Sequence, residues 1–220
     1  MSTTTTLQQQ LDAFKSQMSK QAPPAVMAQV QQHIDDLVNS GLAQQGLKAG
    51  QKAPDFKLPD ALGKHVELAT LLQEGPVVVT FYRGEWCPYC NLQLHAYQQI
   101  LPQITAAGAT LVAISPQNAD HSLSLAEKHA LTFHVLSDAG NRIAHQYGIV
   151  FSLDEQLRSL FTQIGSDLPS FNGDTSWEIP MPATFIIAQD GTITFAHVDA
   201  DFTRRLEPAR LLAELAALTK

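Results

Sequence analysis

The stretch FYRGEWCPYC, residues 81–90, holds both cysteines of the chain, Cys87 and Cys90, two residues apart. Such a pair supports three chemistries: a thiolate can attack a hydroperoxide, exchange with a disulfide, or ligate a metal. Pro88 suits the first position of a helix, where its missing N–H is no loss, so Cys87 is expected at a helix N-terminus. Unpaired N–H groups and the positive end of the helix dipole favour a thiolate there. Cys87 is therefore read as the nucleophile and as the more acidic of the two thiols. Cys90, one turn on, shares that helix face at roughly 5–6 Å between Cβ atoms and can close a disulfide with little rearrangement. Arg83 lies four residues before Cys87; turned inward it adds a second positive charge beside the thiolate, turned outward it is a solvated loop charge. Trp86 is read as shielding the thiols or docking a partner protein, and Tyr89 as capping the helix end.

A structural zinc site needs four ligands. With no third cysteine it would have to recruit histidines such as His95, His121 or His134, and none of these forms a second paired half-site. The reading is a redox pair without metal or bound organic cofactor.

The elements that must hold this pair are legible in the pattern around it. VVVTFY (77–82), ATLVAIS (109–115) and ATFIIA (183–188) are short, nearly continuous β-favouring runs, as expected of strands covered on both faces. After the cysteines, Leu94, Tyr97, Leu101 and Ile104 share a helix face, and Pro102 is expected to kink that helix. Asp190-Gly191 marks a hairpin between ATFIIA and TITFAHV, and PARLLAELAAL closes the chain as a helix with Pro208 in its first turn. The first 45 residues differ. They are rich in Gln, Ala and Thr, include a Thr run at 3–6, and carry two helical stripes, Leu7/Leu11/Phe14/Met18 and Met27/Val30/Ile34/Leu37, broken by Pro23-Pro24. This is a helical arm that packs on its own chain or, alternatively, reaches a second copy in a homodimer.

The 220 residues, 45% hydrophobic, suffice for a sizeable core, and the formal charge of −7 speaks against a nucleic-acid surface, for which Arg204-Arg205 is the one short basic pair. Neither a secretory signal nor a run long enough to span a bilayer is read in the sequence, so the expected setting is cytoplasmic, where a close Cys pair is more often catalytic than a permanent bridge.

Taken together, a buried strand, WCPYC opening a helix, and Met181-Pro182 before a later strand resemble the thioredoxin fold. GQKAPDFKLPDALGKHVEL (50–68), AISPQ (113–117) and PATFIIAQDGTITFAHVD (182–199) are similar to peroxiredoxins of the alkyl hydroperoxide reductase and thiol-specific antioxidant type, and DTSWEIPMPATF and DADFTRRLEP resemble the branch of that family carrying a CxxC pair. The resemblance covers about residues 45–218. It implies an α/β thioredoxin-like fold of peroxiredoxin type, a central mixed sheet flanked by helices, with residues 1–45 as an N-terminal extension and 46–220 as the thioredoxin-like domain. It also implies a thiol peroxidase that reduces hydrogen peroxide or organic hydroperoxides through Cys87 and Cys90 and is recycled by thioredoxin or a similar dithiol. Pro182 is then expected in a cis bond against the cysteines. Two positions depart from the family pattern: Gly84 stands where a Thr or Ser hydroxyl binds the peroxide, and Pro182 where a distant Arg would begin "RATF". These departures leave open a thiol-disulfide oxidoreductase acting on protein disulfides, and the arm leaves open a redox-sensing interaction protein.

Overall fold

The computed structural model describes residues 5–218. The chain opens with α1 (Leu7–Gln21) and α2 (Pro24–Asn39). Thr6 starts α1 through a reciprocal cap, its side chain accepting from the Gln9 N–H while the Gln9 side chain accepts from the Thr6 N–H. Thr3 and Thr4 of the Thr run lie outside the described residues. A proline disfavours helical backbone in the residue before it, so Ala22 and Pro23 are extended and Pro24 begins α2. The one-turn α3 (Leu42–Gln45) leads to the hairpin β1 (Lys57–Pro59) and β2 (His65–Glu67), and then to α4 (Leu68–Glu74). Next come β3 (Val77–Phe81), α5 (Pro88–Gln99), α6 (Leu101–Ala106), β4 (Thr110–Ser115), α7 (Ala119–Lys128) and β5 (His134–Ser137). The remainder is α8 (Arg142–Gln146), β6 (Val150–Ser152), α9 (Glu155–Gln163), α10 (Leu168–Asn172), β7 (Glu178–Pro180), β8 (Ala183–Ile187), β9 (Ile193–Val198) and α11 (Pro208–Leu218).

The main sheet has the order β5-β4-β3-β8-β9. β3 pairs parallel with β4 and antiparallel with β8, placing Thr80 opposite Thr184, and the two hydroxyls hydrogen-bond at 3.1 Å. All five β3 residues are buried, which is why the run reads as continuously apolar. Their alternation feeds two cores: Val77, Val79 and Phe81 pack on one face with Tyr147 and Phe185, while Val78 packs on the other with Tyr97, Ile104 and Leu211. Burying such side chains contributes about 1.5–3 kcal/mol each, so β3 is the anchor of the molecule. β8 and β9 form the expected hairpin around Asp190 and Gly191, with Gly191 at φ +80°.

Pro102 does more than kink its helix. α5 stops at Gln99, Ile100 leaves helical geometry (φ −99°, ψ 4°), and α6 starts afresh with Pro102 in its first turn, because a proline inside one continuous helix would clash one turn back. The arm packs on its own chain. Leu7 and Leu11 are buried against Ala96 and Leu92 of α5, and the Glu207 carboxylate accepts from the Leu7 and Gln8 N–H groups at 3.1 and 2.6 Å, a negative charge set at the positive end of α1. No helix among the described residues is long and apolar enough to cross a membrane.

Candidate active site

The loop after β3 delivers the cysteines. Cys87 is the N-cap of α5 and Pro88 its first residue, and the Cys87 carbonyl accepts from the Cys90 and Asn91 N–H groups at 3.0 and 3.1 Å. The loop is held from below. Gln117, fully buried after β4, accepts from the Glu85 N–H at 2.7 Å and donates to the Tyr82 hydroxyl at 3.0 Å, while Asn91 donates to the Glu85 carbonyl at 2.9 Å. A buried amide with these donors and acceptors all in place fixes the loop more tightly than apolar packing would.

Arg83 turns inward and is 2% exposed. Its guanidinium lies 4.0 Å from the ring centre of Phe202, 4.8 Å from Trp86 and 5.8 Å from Phe161, an aromatic enclosure suited to a desolvated cation. Among the described residues no carboxylate pairs with it and its Nε has no hydrogen-bond partner. A buried cation is normally paired. Here the groups of opposite charge within reach are the sulfurs.

The two thiols are free and buried, and they differ in both access and partners. Cys87 faces a cleft of about 320 Å³ whose roof is formed by Phe14, Met18, Met27 and Val30 of the arm and whose walls are Trp86, Phe161 and Phe202. Cys90 does not line this cleft; its Sγ accepts from the Arg83 N–H at 3.5 Å and from Arg205 Nη2 at 3.4 Å. Burial alone would raise the Cys90 pKa, but the hydrogen bond from Cys87, the Arg205 and Arg83 charges and the Arg83 N–H outweigh it and bring Cys90 down to about 5. Burial first, and then the adjoining Cys90 sulfur, push Cys87 well above the usual thiol range against the pull of the two arginines. Cys87 caps the helix with its backbone while its sulfur accepts no N–H from the first turn, so the helix terminus can act on that sulfur through its dipole and not through a hydrogen bond.

The other expected residues divide. Trp86 shields: it packs edge-on against Phe161 at 5.5 Å and covers the Arg83 guanidinium. Tyr89 does not cap; it bridges the arm and the C-terminal segment through edge contacts with Phe14 at 5.2 Å and Phe202 at 5.9 Å. Pro182 is buried at the start of β8, but no peptide bond among the described residues is cis, so the expected cis bond is corrected to trans. An X–Pro bond prefers trans by about 0.5–1 kcal/mol, and Met181, whose N–H donates to the Ile149 carbonyl at 2.7 Å, reaches β8 without reversing the chain. Among the described residues no three His, Cys, Asp or Glu side chains gather as a metal site; His121 instead pairs with Glu85, and His95 with Gln99. Sequence reasoning missed Arg205, Gln117 and Phe202. Arg205 was visible only as half of a basic pair, yet Arg204 has a side chain 70% exposed whereas Arg205 is buried.

A profile of the AhpC/TSA family matches residues 49–196, about two-thirds of the chain. The chain belongs to the AhpC/TSA family. The curated proteins it resembles include a chloroplastic peroxiredoxin Q from Populus jackii, 36% identical over 100 residues covering 46% of each chain. Peroxiredoxin Bcp of Escherichia coli K12 is 35% identical over 103 residues, 47% of this chain and 65% of that protein. The chain thus spans about half the length of the plant relatives it matches. Among solved structures, peroxidoxin BcpB of Mycobacterium tuberculosis superposes with a TM-score of 0.62 at 24% identity, over 78% of this chain and 98% of that one, and a peroxiredoxin 6 of Arenicola marina with 0.64 at 17% identity, over 79% and 74%. The fold is the thioredoxin-like fold of these AhpC/TSA relatives. The matched region contains both cysteines; the whole cleft roof, Phe202 and Arg205 lie outside it.

The family's hydroxyl position is closed in this member. Gly84 has φ +142°, and a Cβ built there would lie 2.4 Å from Trp86 Nε1 and 2.8 Å from its Cδ1, with Trp86 itself wedged against Phe161 and Arg83. Gly84→Thr is expected to destabilise the protein by about 2 kcal/mol or more, combining backbone strain with a displaced indole, without raising peroxide turnover. Thermal unfolding monitored by tryptophan fluorescence checks the first half and a steady-state peroxidase assay the second; an unchanged melting temperature would show that the indole yields freely.

Proposed function

We propose that the protein is a thiol-dependent peroxidase that uses the Cys87-Cys90 pair, favours organic hydroperoxides over hydrogen peroxide, and is recycled by thioredoxin or a similar dithiol. The observation that carries this reading is the placing of Cys87 at the inner end of an apolar cleft beside the buried, carboxylate-free Arg83. The sulfur takes the distal oxygen of the hydroperoxide, the O–O bond breaks, and the alcohol leaves; Cys90 then condenses with the Cys87 sulfenic acid, releasing water and forming a disulfide that the dithiol reduces. With Gly84 in place of a hydroxyl and Pro182 in place of an arginine, the charge for polarising the O–O bond falls to Arg83. A cytoplasmic setting, in which dithiol reductants keep the pair reduced, suits this cycle.

Hydrogen peroxide has no use for a cleft of about 320 Å³, whereas an alkyl or aryl body does. Met27→Trp, which fills the roof, is expected to lower kcat/KM for cumene hydroperoxide by about tenfold, or about 1.4 kcal/mol, and to leave hydrogen peroxide within about twofold. Equal losses on both would mean that the cleft does not select the substrate. A wild-type rate with either hydroperoxide no greater than that of free cysteine, alongside fast exchange with a small disulfide, would turn the function to disulfide exchange.

A further inference from the structure

We propose that the surface beneath α1 is the docking site for the protein dithiol that recycles the pair, and that α1, seated on that surface, lifts before the partner reaches Cys87. The proposal rests on the peroxidase reading only for the source of the disulfide. Cys87 is 1% exposed and Cys90 fully buried, and Phe14 and Met18 of α1 lie over the cleft that leads to Cys87. Reduction of a disulfide needs the attacking sulfur in bonding contact with one sulfur of the bridge. A hydroperoxide or a small dithiol fits inside a cleft of about 320 Å³, whereas a cysteine on a folded protein brings its own backbone and is stopped by the helix. The ground that α1 covers adjoins the reacting sulfur. Leu7 and Leu11 sit on Tyr89, Leu92 and Ala96 of α5, and Phe14 meets Tyr89, which lies between the two cysteines, edge-on at 5.2 Å. With α1 lifted, Tyr89, Leu92, Ala96 and Phe202 form an apolar, aromatic face beside Cys87, the composition of the core of a protein–protein interface.

Of the two arm helices, α1 is the easier to release. Its two buried side chains form a small cluster of their own with α5, whereas Leu37 at the end of α2 belongs to the main core. The rest of its seat is polar: the Glu207 carboxylate at its first turn, and an exposed hydrogen bond of 3.3 Å from Lys15 to Gln31 of α2. Between the helices Ala22 and Pro23 are extended, with ψ 149° and 138°, so rotation there carries α1 as one piece and leaves α2 in place. In the exchange itself a partner thiolate attacks Cys87 Sγ, the Cys87–Cys90 bond breaks and Cys90 departs with the electron pair. The partner's second thiolate then attacks its own sulfur in the mixed disulfide and releases Cys87. The partner ends as its disulfide, the pair as two thiols, and the partner's two protons pass to the pair through solvent.

The test starts from a bridge made with diamide, so it needs no peroxide and is separable from the peroxidase reading. The oxidised full-length chain is mixed with pre-reduced thioredoxin or with dithiothreitol, and the remaining bridge is followed by acid quench, thiol alkylation and mass spectrometry. Leu11→Ala and Glu207→Gln loosen α1 without altering a residue that lines the cleft. Leu11→Ala is expected to raise the rate with thioredoxin by about tenfold or more, through the lost burial of a side chain that holds α1 down. Glu207→Gln, which removes the charge from the positive end of α1, should raise it by about two- to fivefold. Both should leave the rate with dithiothreitol within about twofold. Hydrogen exchange should quicken along α1 in both variants while β3 stays protected, the sign of one helix lifting from a folded domain. Thioredoxin rates unchanged in both variants, or dithiothreitol rates rising by the same factor, would overturn the proposal, as would failure of diamide to form the Cys87–Cys90 bridge. Should Leu11→Ala not fold, the same comparison in Glu207→Gln decides. Absence of peroxide turnover with the thioredoxin effect intact would remove hydroperoxide as the oxidant and leave the docking site standing.

Discussion

Cys87→Ser is expected to abolish hydroperoxide turnover, bringing the rate to that of the solution without protein, while Cys90→Ser completes the first oxidation and stops. Cys87 is the cysteine that faces the cleft, so its loss removes the thiol a peroxide can reach there. Cys90 is fully buried and turned towards Arg205, and a serine there cannot condense with the sulfenic acid to form a disulfide. A dimedone adduct mapped by mass spectrometry should appear on Cys87 in Cys90→Ser, and no adduct should form on Cys90 in Cys87→Ser. An adduct on Cys90 would exchange the two roles. On a non-reducing gel the oxidised wild type should run as a monomer, because the sulfurs are neighbours on one helix turn.

Arg83→Met is expected to separate activity from stability. Desolvating a guanidinium costs several kcal/mol, and Arg83 recovers part of this from three aromatic rings and the sulfurs but nothing from a carboxylate. Methionine keeps an apolar, polarisable filling among Trp86, Phe161 and Phe202, so the free energy of unfolding in urea should stay within about 1 kcal/mol of wild type or rise. Peroxide reduction, by contrast, should fall by about tenfold to a hundredfold, the 1.4–3 kcal/mol of a charge-assisted contact, and by more than reduction of a model disulfide. The pH dependence has a definite sign. Arg83 lowers the pKa of both sulfurs, so its removal raises them, and the variant's rate should decline at a higher pH than wild type as acid is added. Large destabilisation with an unchanged peroxide rate would make Arg83 a structural cation only.

The parts of this design that could be read from sequence are those decided over a few residues. Pro88 announces the start of α5, Asp190-Gly191 the β8-β9 turn, and the unbroken VVVTF a strand covered on both sides, because local sterics and hydrophobic period fix each of them. Pro102 was legible as a disruption; that it ends one helix and starts another depends on where Ile100 comes to rest. What escaped was decided across the chain. Arg205 meets Cys90 from 115 residues away, Gln117 holds Glu85 from 32 away, and the cleft exists only because residues from the arm, α9 and the C-terminal segment converge on Trp86. The hydrogen bonding of the pair escaped for the same reason: the helix terminus is visible in the sequence near Cys87, whereas the Arg205 guanidinium reaches Cys90 from a distant segment.

The arm is buried at its two ends and only half-buried between them. Leu7 and Leu11 hold the start of α1 and Ile34 and Leu37 the end of α2, yet none of residues 12–33 is buried, and these are the residues that roof the cleft. The cysteines, on the other hand, hang from β3, which is bonded on both edges and enclosed on both faces. Local opening draws on the weakest part of a structure, and its free energy can lie far below that of global unfolding. A bulky molecule can therefore enter by parting side chains of the α1-α2 span without disturbing any strand pairing. The roof is the cheaper part to move and the floor the dearer, so the reacting sulfur would keep its aim while the opening above it adapts to the guest.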